Sequence, residues 1–371
     1  MCKEDTCLNK NYAQNYKKNL FSLYENTPKG NAARRLNTFS KMIASVLQTK
    51  TASLASIGKS LDSQADLESR IKSVKRALAN KWNDWEFQFL PCLRSILKRL
   101  CQKNEVFLII DGTQIGNQCT ALMLSILDND TAIPLCWVVR QMPKGVFSSD
   151  MHQSLIEKIA PIIKPYLTQS SHVIVLGDGE FSNIELQKSC SEVGFDYVFR
   201  LRKDTLLFDE QLSEEAFKPQ EVAKNGNYYQ ADVFMTEQRY GKVHFVSYKE
   251  KGFSEPIYLI STIDYPVAIA KYYKKRFRTE TLFGNIKSRG FNIHKTKVNS
   301  PTITDGLLTV VCWAYVWLTQ LGKKAKENKN YSKFARKDRN DWSLLTLAWA
   351  YLDYCNRCRL KINLEMSKNS T

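Results

Sequence analysis

The sequence feature that most constrains the fold is a short apolar run, residues 106–110, which ends directly at Asp111. Such a run is typical of a central strand that is buried on both faces of a sheet. Residues 172–177 repeat the pattern and are followed by Asp178. An ionised carboxylate at the end of a buried strand is costly unless it is paired or bound to a cation. The two aspartates are therefore candidates for a functional site.

The segments around these two runs predict the rest of the sheet. Further strands are predicted at residues 120–127, 132–140 and 197–201, a hairpin turn at 128–130, and helices at 151–166 and 181–193. The resulting order, β-β-β-α-β-α-β, is the layout of a ribonuclease H-like domain. In this topology the strands that end at Asp111 and Asp178 are parallel neighbours, and ligands gather at the carboxyl ends of such strands. We therefore expect the two carboxylates to face each other.

The whole chain predicts an α/β fold: a ribonuclease H-like mixed sheet with a β-rich insertion, flanked by helical regions. Residues 1–104 are predicted to form an α-helical domain, and residues 105–300 the ribonuclease H-like domain. Short strands separated by Gly-containing turns predict a β-rich insertion at about residues 203–263. Residues 301–371 are predicted to form a C-terminal helical region, in which Trp313 and Trp317 are expected to lie in the core.

The formal net charge of +17 favours a polyanionic partner, most simply nucleic acid. In the N-terminal region two short predicted helices are joined by a polar turn. The second of them carries four basic residues: Arg70, Lys72, Lys75 and Arg76. This arrangement suits a helix-turn-helix-like reader of double-stranded DNA, and it equally suits an ordinary helical bundle with a basic face.

Other features narrow the cellular setting. The N-terminal residues show no apolar signal core, and no run of 18 or more apolar residues predicts a membrane span. The ten cysteines lack disulfide-module spacing and read as reduced thiols. Cys355 and Cys358 form one CxxC pair, which is more simply two thiols on a helix than a zinc or redox site. We therefore expect a cytoplasmic protein.

One acidic residue in the second half of the chain lies among basic and phenolic ones. Tyr273, Arg276, Glu280 and Lys287 are separated by three, four and seven positions. On a continuous helix, at about 100° per residue, these side chains fall within roughly 60° of one another. A solvated basic helix with a stray glutamate gives the same pattern, so the two upstream aspartates decide between the alternatives.

Together the three acids predict a metal site. Two close carboxylates repel, and oxygen ligands favour Mg²⁺, or Mn²⁺, over zinc. Glu280, on a helix that crosses the same sheet edge, would complete a two-metal site for phosphodiester chemistry. Three other acids compete for these roles, and we interpret them as solvated or structural: Glu180, Asp128 and Asp130.

The spacing Tyr-x2-Arg-x3-Glu-x6-Lys at 273–287 resembles the YREK signature of DDE-class bacterial insertion-sequence transposases. Asp111-Gly-Thr and Asp178-Gly-Glu-Phe resemble the motifs of that family's first two catalytic aspartates. The resemblance implies an enzyme that cuts transposon ends and joins their 3′ ends to target DNA with Mg²⁺. It implies that Asp111, Asp178 and Glu280 are the catalytic metal ligands. Tyr273, Arg276 and Lys287 would hold DNA, and the enzyme would act as a homodimer on paired ends.

The insertion departs from several of these relatives because it contains no tryptophan to stack a flipped base. Six aromatic residues could substitute: Tyr228, Tyr229, Phe234, Tyr240, Phe245 and Phe253. Cleavage through a DNA hairpin is therefore left open. Two other functions also remain: a ribonuclease H-like nuclease without strand transfer, and a non-catalytic DNA-binding protein descended from a transposase.

Overall fold

The computed structural model describes residues 17–61, 63–142, 147–224, 226–250, 252, 254–336, 338, 341–360 and 362. Its helices are α1 (Gly30–Thr49), α2 (Leu54–Ser60), α3 (Leu67–Leu78), α4 (Trp85–Gln88), α5 (Leu90–Leu100), α6 (Ser149–Ile163), α7 (Ile184–Glu192), α8 (Pro219–Val222), α9 (Pro266–Lys274), α10 (Arg278–Ile286), α11 (Pro301–Lys326) and α12 (Leu344–Arg357). Its strands are β1 (Glu105–Ile115), β2 (Cys119–Asp128), β3 (Thr131–Gln141), β4 (His172–Gly177), β5 (Asp196–Arg200), β6 (Leu207–Phe208), β7 (Tyr228–Met235), β8 (Tyr240–Tyr248) and β9 (Ile257–Ser261).

All these strands form one mixed sheet in the order β3-β2-β1-β4-β5-β9-β8-β7-β6. Strands β1, β4 and β5 are parallel, and the other pairings are antiparallel. In the β1–β4 register Glu105 lies opposite His172. Asp111 and Asp178 each come six positions later, so both lie at the same carboxyl edge. The predicted element order and the parallel neighbours are thus confirmed.

The structure differs from the predicted boundaries of three elements. Strand β1 does not stop at Asp111, because its ladder with β2 continues until Ile115 pairs with Cys119. The predicted strands of the insertion join the main sheet, since β9 pairs with β5, and the structure adds the short strand β6, which was not predicted. The helix expected from residue 181 begins at Ile184, after a 3₁₀ turn at Gly179–Phe181.

Helix α11 lies at the centre of the helical part of the molecule and contacts α1, α3, α12 and β3. Trp313 and Trp317 are 0% and 1% exposed, which confirms that both are core residues. By length and composition α11 could cross a membrane, but 89% of its most apolar window is buried inside the structure. A core helix of a globular protein accounts for that burial.

The helices at both ends of the chain share a core with the sheet. One cluster of buried apolar side chains runs from Leu20 to Ile362 and includes residues of α1, β1 and α11. The assignment of DNA binding to residues 1–104 and of catalysis to residues 105–300 therefore remains a prediction.

Candidate functional site

Two backbone N–H groups hold the strand-end aspartates. The Gly112 N–H donates to Asp111 Oδ1 at 2.8 Å. The Glu180 N–H donates to Asp178 Oδ1 at 3.0 Å, so that Asp178 caps the 3₁₀ turn that follows β4. The side chain of Asp111 is only 15% exposed. Both carboxylates are thus fixed at the carboxyl edge of the parallel strands.

The segment that carries Glu280 is not the single α-helix that the spacing predicted. Helix α9 ends at Lys274, a 3₁₀ turn spans Lys275–Phe277, and α10 begins at Arg278. Glu280 lies in the first turn of α10, and Lys287 is the residue at which that helix ends. The four side chains consequently do not form one uniform exposed face.

A single guanidinium connects the first and third predicted acids. Arg276 Nη1 lies 3.3 Å from Asp111 Oδ2, and Arg276 Nη2 lies 3.3 Å from Glu280 Oε1. The Arg276 side chain is 11% exposed, whereas that of Glu280 is 60% exposed. One edge of the sheet thus combines an almost buried ion pair with an accessible carboxylate.

Tyr273 and Lys287, the other two residues that would hold DNA, differ in exposure. Tyr273 is 1% exposed and packs edge-on against Phe277. Burial raises the pKa of the Tyr273 phenol, while Arg276 and Arg200 oppose that shift. Lys287 is half-buried; burial lowers the pKa of its ammonium, while Asp111 raises it. Tyr273 therefore supports Arg276 from inside, which differs from the open face expected of it.

The electrostatics of Asp111 test whether a divalent cation fits this edge. The pKa of Asp111 is raised to about 7, chiefly by burial; Arg276 lowers it, and Asp178 and Glu280 add to the rise. The carboxylate is therefore short of positive charge even beside a guanidinium. The donors are all carboxylate oxygens, which suit Mg²⁺ or Mn²⁺. In the described part of the chain, however, no three His, Cys, Asp or Glu side chains cluster closely enough to hold a metal ion.

The competing acids have identifiable roles. Asp128 is fully buried and forms ion pairs with Arg99, at 2.6 Å, and with Lys323. Asp130 is exposed and pairs with Arg278 at 2.6 Å. These contacts agree with the structural interpretation of both residues.

We predict that Asp128→Asn lowers the free energy of unfolding by about 2–3 kcal/mol at pH 7, because two cations lose their buried partner. Burial by itself raises the pKa of Asp128, but the bonds from Arg99 and Lys323 outweigh it and lower the pKa overall. The stabilisation is therefore complete above the unfolded pKa of about 4 and is lost as the pH falls below it. Urea unfolding across this range measures the effect. Asp130→Asn, on the exposed turn, should change stability by under about 0.5 kcal/mol.

Glu180 and Phe147 contact each other beside the predicted metal ligands. Glu180 is half-buried, and its Oε1 accepts a hydrogen bond from the Phe147 N–H at 2.7 Å. Burial raises the pKa of Glu180.

His152 is buried on α6, and its Nδ1 lies 2.9 Å from Asn183 Nδ2. No periodic pattern in the sequence points to Phe147 or His152; their position between two predicted site strands is the signal that could have suggested them.

The basic residues predicted on α3 are not equivalent. Arg70 donates to the carbonyl oxygens of Lys59 and Leu61, so it joins the two short helices. Lys72 pairs with Glu68 on the same helix at 2.7 Å. The remaining two basic residues, Lys75 and Arg76, are exposed in the last turn of the helix.

The aromatic residues of the insertion differ in how deeply they are buried, and so do the two cysteines of the CxxC pair. Phe234 and Phe245 are buried, Tyr228 and Tyr240 are partly buried, and Tyr229 is 38% exposed. Phe253 lies outside the described residues. Cys355 is buried and Cys358 is exposed at the end of α12.

The mixed sheet, with Asp111 on β1 and Asp178 directly after the parallel strand β4, is consistent with a ribonuclease H-like fold. The chain belongs to the transposase DDE domain family, whose model matches residues 103–317, or 215 of 371 residues. A search of curated proteins finds no match. Among solved structures, the chain is similar to Ciona intestinalis endonuclease V in complex with an inosine-containing 24mer DNA, at 13% identity and a TM-score of 0.28. That likeness covers 52% of this chain and 90% of the other, and at this TM-score it carries no argument.

Proposed function

We propose that the protein is a Mg²⁺-dependent DNA transposase of the bacterial insertion-sequence type. It cuts transposon ends and joins their 3′ ends to target DNA. The observation that carries the proposal is the bridge from Arg276 to Asp111 and Glu280, beside Asp178, within a DDE transposase domain. It brings together, at one sheet edge, two acids that are far apart in the sequence, and the charge of Asp178 acts on both Asp111 and Arg276.

In this proposal Asp111, Asp178 and Glu280 are the metal ligands. Divalent cations held by these residues would supply activation of the attacking hydroxyl and stabilisation of the leaving oxygen. The protein itself orients the ligands through the Gly112 and Glu180 N–H groups. It also keeps Asp111 largely out of solvent, which strengthens charge interactions at the reacting phosphate.

The same segment supplies the DNA contacts nearest the site. Once metal ions replace it at Asp111 and Glu280, Arg276 would bind phosphate by bidentate pairing, and Lys287 would act as a point charge. Tyr273, being buried, holds the Arg276 guanidinium in place. Two copies are proposed to assemble on paired ends, in the bacterial cytoplasm at the nucleoid, as expected for an enzyme that acts on two ends of one element.

The experiment combines the protein with DNA duplexes made from the sequences that flank its coding region, a supercoiled plasmid and Mg²⁺. The proposal expects a nick at the repeat end and plasmid joined covalently to that end. Cleavage without joined product would instead indicate a nuclease that lacks strand transfer. Neither product, and no Mn²⁺ binding, would indicate a non-catalytic DNA-binding protein.

The N-terminal helices are proposed to bind the terminal repeats through α3. Reversing both exposed charges, with Lys75→Glu and Arg76→Glu, should weaken DNA binding at least about tenfold and reduce the salt slope by about 2. Fluorescence anisotropy across a salt series measures both quantities. Lys98→Glu with Lys103→Glu makes the same charge change elsewhere, and an equal loss there would show that only net charge matters.

A further inference from the structure

Glu180 is not one of the proposed ligands. It nevertheless connects Asp178, by way of Phe147, to the backbone beside Asp111. Its backbone N–H donates to Asp178 Oδ1 at 3.0 Å. Its side-chain Oε1 accepts from the Phe147 N–H at 2.7 Å, across the gap between the β4 edge and the start of α6. One residue therefore holds Asp178 directly and Phe147 through its carboxylate.

Phe147 in turn touches the backbone beside Asp111. Its side chain is 4% exposed. A Cβ added to Gly112 would lie only 2.4 Å from Phe147 Cε2, so the ring lies directly against the glycine. The Gly112 N–H is the group that donates to Asp111 Oδ1. A shift of Phe147 would consequently shift the donor that orients the first aspartate.

We propose that Glu180 is a positioning residue, which sets the spacing of Asp111 and Asp178 by tying the Phe147 backbone to the β4 edge. This inference rests on the proposed function for the identity of the ligands. It requires only a hydrogen-bond acceptor at Glu180 Oε1, and a glutamine amide oxygen provides one. A role as a further metal ligand would instead require the negative charge.

The test compares two variants, Glu180→Gln and Glu180→Ala. Gel assays measure DNA-end cleavage, and electron paramagnetic resonance monitors Mn²⁺ binding. Glu180→Gln should stay within about threefold of wild type, because the Phe147 bond survives. Glu180→Ala should lower cleavage by about 10²-fold, the effect of misplacing a reacting group by about 1 Å. Glu192→Ala, an exposed glutamate at the end of α7, controls for loss of a carboxylate.

A double-mutant cycle identifies the route of the effect. If Glu180 acts through the Phe147 ring, adding Glu180→Ala to Phe147→Ala should cause little further loss of cleavage. Fully additive losses, or a Glu180→Gln variant as impaired as Glu180→Ala, would overturn the proposal. The second result would identify Glu180 as a charged ligand.

Backbone hydrogen exchange gives a readout that needs neither DNA cleavage nor metal. Glu180→Ala should speed exchange at the Phe147 and Gly112 amides, whereas Glu180→Gln and Glu192→Ala should not. Unchanged exchange at Gly112 in Glu180→Ala would overturn the positioning role. If the wild-type protein fails to cut DNA yet shows this exchange pattern, the proposed function fails and the positioning stands.

Discussion

Asp111→Asn is expected to lower DNA-end cleavage by at least about 10³-fold, because an amide cannot supply the anionic oxygen that a divalent cation needs at this strand end. Asp178→Asn and Glu280→Gln are expected to cause losses of the same order. Gel assays of end cleavage in Mg²⁺ measure the rates. If any one of the three variants cleaves at the wild-type rate, the assignment of these acids as ligands fails.

The same Asp111→Asn substitution should make the metal-free protein more stable at alkaline pH. Asp111 has a folded-state pKa of about 7, above its unfolded value. The folded state therefore binds this proton more tightly, and wild-type stability falls as the pH rises from about 4 to about 7. The asparagine of the variant carries no buried charge, so the stability of the variant does not fall in this way as the pH rises.

Thermal unfolding at several pH values separates these two effects. We expect the melting temperature of Asp111→Asn to exceed that of wild type at pH 8 and the difference to shrink at pH 4. An Asp111→Asn variant that melts below wild type at pH 8 would contradict the predicted gain in stability, and a variant without a cooperative melting transition would show that cleavage was lost through misfolding. Asp130→Asn makes the same chemical change on the exposed turn and should alter neither property.

The sequence predicted the strands of the site because their burial leaves an apolar signature. Residues 106–110 and 173–176 are apolar throughout, since strands in the middle of a parallel sheet are covered on both faces. The end of β1 was placed too early for the same reason. Gly112, Thr113 and Gln114 break the apolar run, yet they still pair with β2. Backbone pairing does not need apolar side chains, so this part of the strand had no hydrophobic signal.

The arrangement around Glu280 shows what periodicity omits. Spacing placed Tyr273 and Arg276 on the face of Glu280, but it could not reveal that both are buried or that a 3₁₀ turn interrupts the helix. Burial depends on which element packs on the segment, and Asp111 is 165 positions before Arg276. Likewise, Glu180 and Phe147 lie in two segments that are 33 positions apart in the sequence. These segments meet because of the register of the sheet, which side-chain periodicity does not reveal.

Arg276→Ala is expected to change metal binding and DNA cleavage in opposite directions. In the DNA-free protein the guanidinium contacts oxygens of both Asp111 and Glu280, which a divalent cation would also use. Removing it removes a competing cation, so Mn²⁺ should bind about 3- to 10-fold more tightly, equivalent to about 0.7–1.4 kcal/mol. Cleavage should nevertheless fall by about 10²-fold, because a phosphate-binding group near the reacting centre is lost.

Two variants control for charge and for position. Arg276→Lys keeps the charge but lacks the planar fork that reaches two carboxylates at once, so its Mn²⁺ affinity should lie between those of wild type and Arg276→Ala. Arg278→Ala removes an exposed arginine two residues away, which pairs with Asp130, and should leave Mn²⁺ affinity unchanged. Isothermal titration without DNA measures these affinities. Weaker Mn²⁺ binding by Arg276→Ala would mean that the guanidinium organises the acids for the metal, and that it does not compete with it.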